Sequence, residues 1–407
     1  MTTIKVKHEF FPVGQGLFAT GFLTFETDRP RTYRWVYDCG THSAKRLLTR
    51  AIDTFKVECQ ENRIELLTLS HFHQDHIIGV VELLNKIGAK ALMLPWAPLW
   101  SRLSIGFEQG FGAADPEMQF FMDPVRYFMT AAPERFDQVV FVMPSAGEGS
   151  GVPTEDPEGR EDPDGRIVIG TDTSADELEV STYDVEGSWP EVRQLKRGQR
   201  ITFRKVWEFI PFNDLSTEPA DLKEFQAKVE VLKIDLLYAD KRDRASALQT
   251  LEQFFKMKFA KIGMNKVSLF LYGGAVGQWR GKRVCGCRTG RWFGCPHCSP
   301  VLNTRAAILF SGDGDLSTPE KWNTLSDYLG KQRSTRTSVF QIPHHGSRNN
   351  AFSGLARAAL PDLSVFSSNP VGNYYHPHKE VLRDFWPFNP VQVDRDAGFA
   401  VMFTMDK

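Results

Sequence analysis

Nowhere in these 407 residues does an apolar run approach the roughly 18 residues that a membrane-crossing helix needs. The opening stretch, Met1-Thr2-Thr3-Ile4-Lys5-Val6-Lys7-His8, lacks the apolar core of a secretory leader. The expectation is therefore a cytoplasmic protein with no membrane contact. Excess charge is missing as well. With 49 Lys and Arg against 50 Asp and Glu, the formal net charge is −1, so attraction to nucleic acid has to come from local patches. Cysteine is sparse: there are six, and four of them crowd between positions 285 and 298, which favours a metal over a disulfide framework. No internal repeat is visible.

What is present is a core-forming chain. Hydrophobic residues make up 42% of it and 31 are Phe, enough for one large domain with insertions or for two domains. Two short strands are expected within 9–24, separated by a glycine-containing turn, and a third at 34–40. Helical spacing follows from Ala44 to about Phe55, then an apolar strand from Ile64 to Ser70, then helical spacing from Ile77 to Ile87. Ser145 to Asp164 is rich in Gly, Pro, Glu and Asp and reads as an acidic flexible loop. Pro219 to Phe259 is helical in pattern. Strands are expected again at 267–272, 306–310, 338–342, 363–367, 391–393 and 399–403, with a helix near 320–329. Strands, helices, an inserted middle, then strands and helices again predict two sheets between layers of helix.

The ten histidines carry the chemistry, because seven of them fall in three tight clusters. Histidine is the commonest metal ligand and a ready acid or base near neutral pH. In His71-Phe72-His73-Gln74-Asp75-His76, a loop leaving a strand aims alternate side chains at one metal and the next pair at a second, while Asp75 can orient or deprotonate a water. Ser311-Gly312-Asp313-Gly314-Asp315 follows another apolar strand and places Asp313 to bridge two cations, with Asp315 read as a turn residue. In Pro343-His344-His345-Gly346-Ser347 adjacent histidines point different ways. His345 is assigned to metal and His344 to the substrate phosphate or leaving group. Tyr374-Tyr375-His376-Pro377-His378 closes the set, with His376 or His378 handling substrate and the other free simply to cap a turn.

Together these motifs resemble the metallo-β-lactamase superfamily, and most of all the soluble lactamase-like domain of ComEC-type DNA-uptake proteins. The likeness rests on Val13-Gly14-Gln15-Gly16, Asp38-Cys39-Gly40, His71 to His76, Asn265-x-x-Ser268-Leu269, Ser311-Gly312-Asp313, Pro343-His344-His345-Gly346-Ser347 and His376-Pro377-His378. It implies an α/β fold, a four-layer αββα sandwich over residues 1–407, interrupted by a 97–262 insertion (acidic loop about 145–164, helical part about 219–259) and a 279–300 cysteine-rich hairpin. It further implies that His71 and His73 hold one metal, that Asp75, His76 and His345 hold the other with Asp313 between them, and that Asp38 steadies the histidine loop. One departure bears on the metal. Many members supply another histidine before the bridging aspartate, whereas here only His297 lies between His76 and Asp313. An oxygen-rich shell completed by water leaves room for Mn²⁺ beside Zn²⁺. With no membrane segment in the sequence, the expectation is a free-standing relative rather than an uptake channel.

Cys285-x-Cys287 and Cys295-Pro296-His297-Cys298 offer four soft ligands for a structural Zn²⁺, with His297 able to replace one cysteine. Around them stand Trp279, Arg280, Lys282, Arg283, Arg288, Arg291, Trp292 and Phe293, with no acidic residue between Trp279 and Pro300. Such a patch, Arg283 and Arg291 in particular, suits phosphates and bases, although a solvated hairpin has the same composition. The reading is a hydrolase using metal-activated water on a phosphodiester, most simply a nuclease, with Asp75, His344 and His378 as candidate proton-handling residues. A small phosphodiester, such as a cyclic nucleotide or phosphocholine-type ester, is one alternative. A regulatory protein whose site is gated by a partner on the helical insertion is another.

Overall fold

In the computed structural model the described residues are 3–27, 30–60, 62–145, 152, 169, 171–172, 178–180, 189–214, 222–259, 268–285, 301–302, 305–372 and 374–407, with backbone only for 171–172, 283–285 and 301–302. The chain first lays down β1 (Thr3–Phe10), β2 (Phe18–Glu26), β3 (Arg31–Cys39), helix α1 (Lys45–Cys59) and β4 (Ile64–Thr68). Two short helices follow, α2 (Gln74–Ile77) and α3 (Val80–Lys86), then β5 (Ala89–Pro95). Next come α4 (Leu99–Glu108), α5 (Met118–Met122), α6 (Pro124–Ala131), β6 (Phe136–Val142), β7 (Thr171–Asp172) and β8 (Glu191–Leu195).

A second sheet then begins with β9 (Ile201–Phe203) and β10 (Trp207–Asp214), and the helical pair α7 (Lys223–Tyr238) and α8 (Lys241–Phe259) precedes β11 (Ser268–Ala275). β12 (Arg280–Cys285) and β13 (Val301–Leu302) return to the first sheet. The second sheet is completed by β14 (Ala307–Phe310), α9 (Pro319–Leu329), α10 (Lys331–Ser334), β15 (Thr337–Gln341), α11 (Leu355–Ala359), β16 (Leu363–Ser367), α12 (Lys379–Phe385) and β17 (Pro390–Val393), before β18 (Phe399–Asp406) closes the first sheet against β1.

Among the described residues the two sheets hold eleven strands (β13-β12-β18-β1-β2-β3-β4-β5-β6-β8-β7) and seven (β17-β16-β15-β14-β11-β10-β9). Their facing sides make one aromatic-rich core, with Trp35 stacked 6.0 Å from Trp207 and Tyr37 stacked 4.5 Å from Phe310. A second core fills the space between the first sheet and α1 and α3–α8, and a third lies between the second sheet and α9, α11 and α12. The result is helix on sheet on sheet on helix, a mixed α/β fold consistent with that of the metallo-β-lactamases.

Several elements depart from the expected bounds. The first strand starts at Thr3, because Lys5 and Lys7 alternate with Ile4 and Val6 on a half-covered strand. The helical stretch from Ile77 is broken at Gly79, which packs its backbone against Cys39 and Leu48. Helix α4 escaped the periodicity reading because Leu99 to Phe107 are buried on every side. Even Arg102 is inside, its guanidinium donating to the carbonyls of Phe121, Ala97, Met122 and Glu179. Within the expected 97–262 insertion, β6 and β8 join the first sheet and β9 and β10 the second, while α7 and α8 pack outside. Of the acidic loop, 146–151 and 153–164 lie outside the described residues, as do Asn265, Cys287, Arg291, Cys295, His297 and Cys298 and the side chains of Arg283 and Cys285.

The topology fixes where chemistry can sit. β3, β4, β5, β6 and β8 run parallel, as do β14, β15, β16 and β17. Loops leaving the carboxyl ends of parallel strands gather at one end of a sheet, where open α/β folds place their ligands.

Candidate active site

Each clustered motif leaves one of those strand ends. Asp38 is at the end of β3, His71 to His76 follow β4, Asp313 follows β14, His344 and His345 follow β15, and His376 and His378 follow β16. The loop backbones interlock. Gly16 and Gly40 sit so close to the main chain of Asp75 and His76 that a Cβ on either would strike it. Leu17 N donates to Asp75 O at 3.3 Å, and Ser367 Oγ donates to Gly16 O at 2.7 Å. The Val13-Gly14-Gln15-Gly16 element is thus a brace between the histidine loop and the second sheet.

Hydrogen bonds behind the histidines decide which ring nitrogens face inward. Ser70 N and Oγ both donate to Asp38, each at 2.6 Å, so Ser70 Oγ accepts from His71 Nδ1 at 2.8 Å. His76 Nδ1 donates to Asp38 Oδ2 at 2.6 Å, and His345 Nδ1 donates to Ser367 O at 2.6 Å. In all three rings the Nδ1 proton is committed outward, and Nε2 turns to the centre, the arrangement that metal-binding histidines use. His344 obeys the same logic. Asn350 spends its amide N–H groups on the carbonyls of Asp313 and Gly314, so its Oδ1 accepts from His344 Nδ1 at 2.8 Å.

At the centre, Asp313 reaches both ways, with Oδ2 3.5 Å from His71 Nε2 and Oδ1 3.2 Å from His76 Nε2. Asp75 Oδ2 lies 3.1 Å from His345 Nε2, and Asp75 Oδ1 lies 3.4 Å from His42 Nε2. Two groups of side chains converge tightly enough to hold a cation: Asp75, His76, Asp313 and His345, and separately His71, His73 and Asp75. The first group is buried throughout. Four atoms in it and beside it have no hydrogen-bond partner among the described residues, namely His71 Nε2, His76 Nε2, Asp75 Oδ1 and Asp313 Oδ1. Buried polar atoms seldom stay unmatched, and four aimed at one place fit a divalent cation with N and O ligands. Asp38, His344 and His345 hold positive φ (59°, 46° and 59°), a conformation that costs about 1–3 kcal/mol per non-glycine residue and clusters where function needs it.

Charge follows the same plan. Burial opposes ionisation of Asp75, but His76 and His345 beside it pull its carboxyl far below the usual carboxylate range. Asp313 is likewise buried, and His344, His76 and His71 hold it well below that range. Burial pushes His71 down. It also lowers His73 to about 3, with the charge of His71 adding to the effect. His76 is raised despite its burial, by Asp313 and then Asp38 and Asp75. His376 is lowered to about 3 by burial and by His345, His344 and His378.

The structure brings His71, His73, Asp75, His76, Asp313, His344 and His345 into this one end, with Asp38 behind them. His376 is in the same place, its ring 5.7 Å from His344 and 6.1 Å from His345, and His378 sits 4.9 Å from His376. His378 Nδ1 accepts from Arg348 N at 3.2 Å, so in its neutral form Nε2 carries the proton. Asp315 is a turn residue, its Oδ1 accepting from Ser317 N. Residues to which the sequence assigned no role also take part. Ser70 links Asp38 to His71. Gln15 Oε1 accepts from Asn369 N, and its Nε2 is 3.4 Å from His376 Nδ1. Gln341 Oε1 accepts from Ser311 N and Gly312 N, fixing the Asp313 loop. Ser70 adjoins the histidine run and Gln15 stands within the Val13-Gly14-Gln15-Gly16 motif, while His42 and Gln341 become visible only in three dimensions.

No curated protein matches the chain. Among solved structures, a long form RNase Z from yeast is 10% identical with a TM-score of 0.34, covering 88% of this chain and 37% of that one. The metallo-β-lactamase fold protein YhfI from Bacillus subtilis is 10% identical with a TM-score of 0.34, covering 98% and 99%. The metallo-β-lactamase SMB-1 is 8% identical with a TM-score of 0.25, covering 83% and 82%. The model of the Metallo-beta-lactamase superfamily matches residues 32–209, a span that contains the histidine run.

Proposed function

We propose that this protein is a metal-dependent phosphodiesterase acting on nucleic acid, a nuclease related in kind to the lactamase-like domain of ComEC-type proteins. The observation that carries the reading is the set of four unmatched buried atoms, which leaves the site with ligand valence to spare. His71 and His73 would hold one cation, and Asp75, His76 and His345 a second, with Asp313 reaching to both. Zn²⁺ and Mn²⁺ both suit this mixture of imidazole and carboxylate. Such cations supply Lewis acidity, lowering the pKa of water and offsetting charge on the phosphate.

The chain's own groups do the rest. Asp38 and Ser70 lock the tautomers of His76 and His71, so no reorganisation is needed when ligands bind. His376 is uncharged at neutral pH and offers a neutral hydrogen-bonding wall. His378, with the proton on Nε2, donates to the leaving oxygen, while His344 and Asp75 manage the proton of the attacking water. Away from this end, Cys285, Cys287, Cys295 and Cys298 are proposed to hold a structural Zn²⁺, and Arg283 and Arg291 to meet phosphates of the substrate.

The test uses wild type and a His73→Ala, Asp75→Ala double variant, each stripped, reloaded with Mn²⁺ or Zn²⁺ and incubated with plasmid, single-stranded DNA and RNA. Cutting by the wild type alone, only with metal, is expected. Protein that binds metal stoichiometrically yet cuts none of the three sinks the nuclease reading.

A further inference from the structure

At the end of the sandwich opposite the histidines lies a cavity of about 290 Å³, lined by Tyr272, Trp279, Arg305, Ala306, Arg336 and Met405 among others, with no acidic residue among the described ones in its wall. Strand β11 joins the two ends. Ser268 Oγ donates to Ser311 O at the histidine end, and Ala275 borders the cavity seven residues later, about 23 Å away at strand rise. The cavity is therefore separate from the site already described.

Its wall contains a polar group with nothing to do. Tyr272 is 1% exposed, and its hydroxyl has no hydrogen-bond partner among the described residues. The ring extends along β11 toward the cavity end, since a Cβ on Gly274 would collide with that oxygen. An orphaned buried hydroxyl requires an explanation, and a ligand group that it donates to is one. Arg336 borders the same space, half-buried, and makes no side-chain hydrogen bond or ion pair among the described residues. Arg305, by contrast, is spent on Asp362 and on the carbonyls of Thr335 and Leu360. The indole of Trp279 is pinned by its Nε1 donating to Val276 O at 2.8 Å, and Lys407 Nζ stands 5.8 Å from the ring centroid, adding positive charge. A fixed flat ring, an uncommitted guanidinium and a spare hydroxyl together match a planar group that carries a tetrahedral oxyanion.

We propose that this cavity binds a nucleoside monophosphate, with the phosphate on Arg336 and the Tyr272 hydroxyl and the base against Trp279. The volume is of the order of a single nucleotide. The inference does not depend on what the histidine site hydrolyses.

Calorimetric titration of the full chain, with and without Mn²⁺, compares adenosine 5′-monophosphate, inorganic phosphate and adenosine. One saturable site for the monophosphate is expected, unchanged by the metal and tighter than either fragment. Arg336→Ala and Tyr272→Phe should each weaken it by about tenfold or more, the loss typical of a hydrogen bond to a charged group. Tyr272→Phe should leave the thermal midpoint of the unliganded protein unchanged or higher, because no partner is lost. Absence of saturable binding to the wild type overturns the proposal. So does equal binding by both variants, or a Tyr272→Phe variant whose midpoint falls while its binding is intact, which would make the hydroxyl structural.

Discussion

Glu208 and Asp313 are both buried carboxylates of the second sheet, at opposite ends of it, and their surroundings differ in kind. Glu208, on β10, accepts from Arg333 Nε at 2.7 Å, from Arg333 Nη2 at 3.2 Å and from Arg200 Nη1 at 2.7 Å. Arg333 in turn donates to the carbonyls of Val152 and Leu329. Charge there is met by charge, and the cluster ties β10 to α10 and to Val152. Asp313 faces histidines at 3.2–3.8 Å and keeps an oxygen with no hydrogen-bond partner among the described residues, as Asp75 does nearby. A buried ion pair that satisfies itself is a structural device, whereas one that leaves nitrogen and oxygen atoms unmatched around a common point awaits a cation. The contrast separates architecture from chemistry without reference to residue type, since both clusters are acidic residues beside cations or imidazoles.

Substitutions at the two ends should therefore fail differently. The largest effect is expected from Asp313→Ala, which removes the carboxylate reaching both histidine groups. Hydrolysis should fall by about a hundred- to a thousandfold, of the order seen when a charge-stabilising group is lost, while the unfolding midpoint measured without metal changes little. Glu208→Ala should do the reverse. Removing the carboxylate between two buried guanidinium groups is expected to destabilise by about 3–5 kcal/mol in denaturant titration, yet metal should still raise the thermal midpoint.

A third buried group sharpens the comparison because among the described residues no counter-charge pairs with it. His8 lies among Trp35, Trp207 and Phe403, with Nε2 donating to Ala306 O at 3.0 Å. Burial lowers it to about 4. The folded protein thus keeps His8 neutral where the unfolded chain, with a value near 6.5, takes a proton. Stability from this source is full above about pH 6.5, declines as pH falls, and is lost by about pH 4. The loss is roughly 3 kcal/mol, and His8→Phe should be spared that part of the acid sensitivity in urea midpoints across the range. The smallest effect is expected at Asp38→Asn. It leaves the inward ligands in place but loosens the His76 and Ser70 bonds, so metal affinity should drop about 10–100-fold while stoichiometry is kept.

Much of this end of the molecule was legible in sequence because its residues are concentrated at strand ends. A run such as His71 to His76 after a fully buried strand has few structural uses, and motif order carried Asp313 and His345 to the same place. The opposite end left no such trace. Glu208, Arg200 and Arg333 are scattered over more than a hundred residues, and nothing in any one of them signals an ion pair. Helices α4 to α6 were illegible for another reason. A helix buried on all faces shows no polar stripe, so its period disappears into a uniform apolar composition. Strands β6, β8, β9 and β10 were hidden inside a stretch whose Gly-, Pro- and acid-rich middle obscured that sheet strands continue on either side of it.

The most direct test of the account is Mn²⁺ titration of the metal-stripped full chain, using an ion that a cysteine cluster takes poorly. The wild type should bind saturably with release of protons, and an Asp75→Ala, His345→Ala variant should lose that binding while a Glu208→Gln variant keeps it. Unaltered Mn²⁺ binding by the Asp75→Ala, His345→Ala variant would contradict the claim that the unmatched atoms at this end form the metal site.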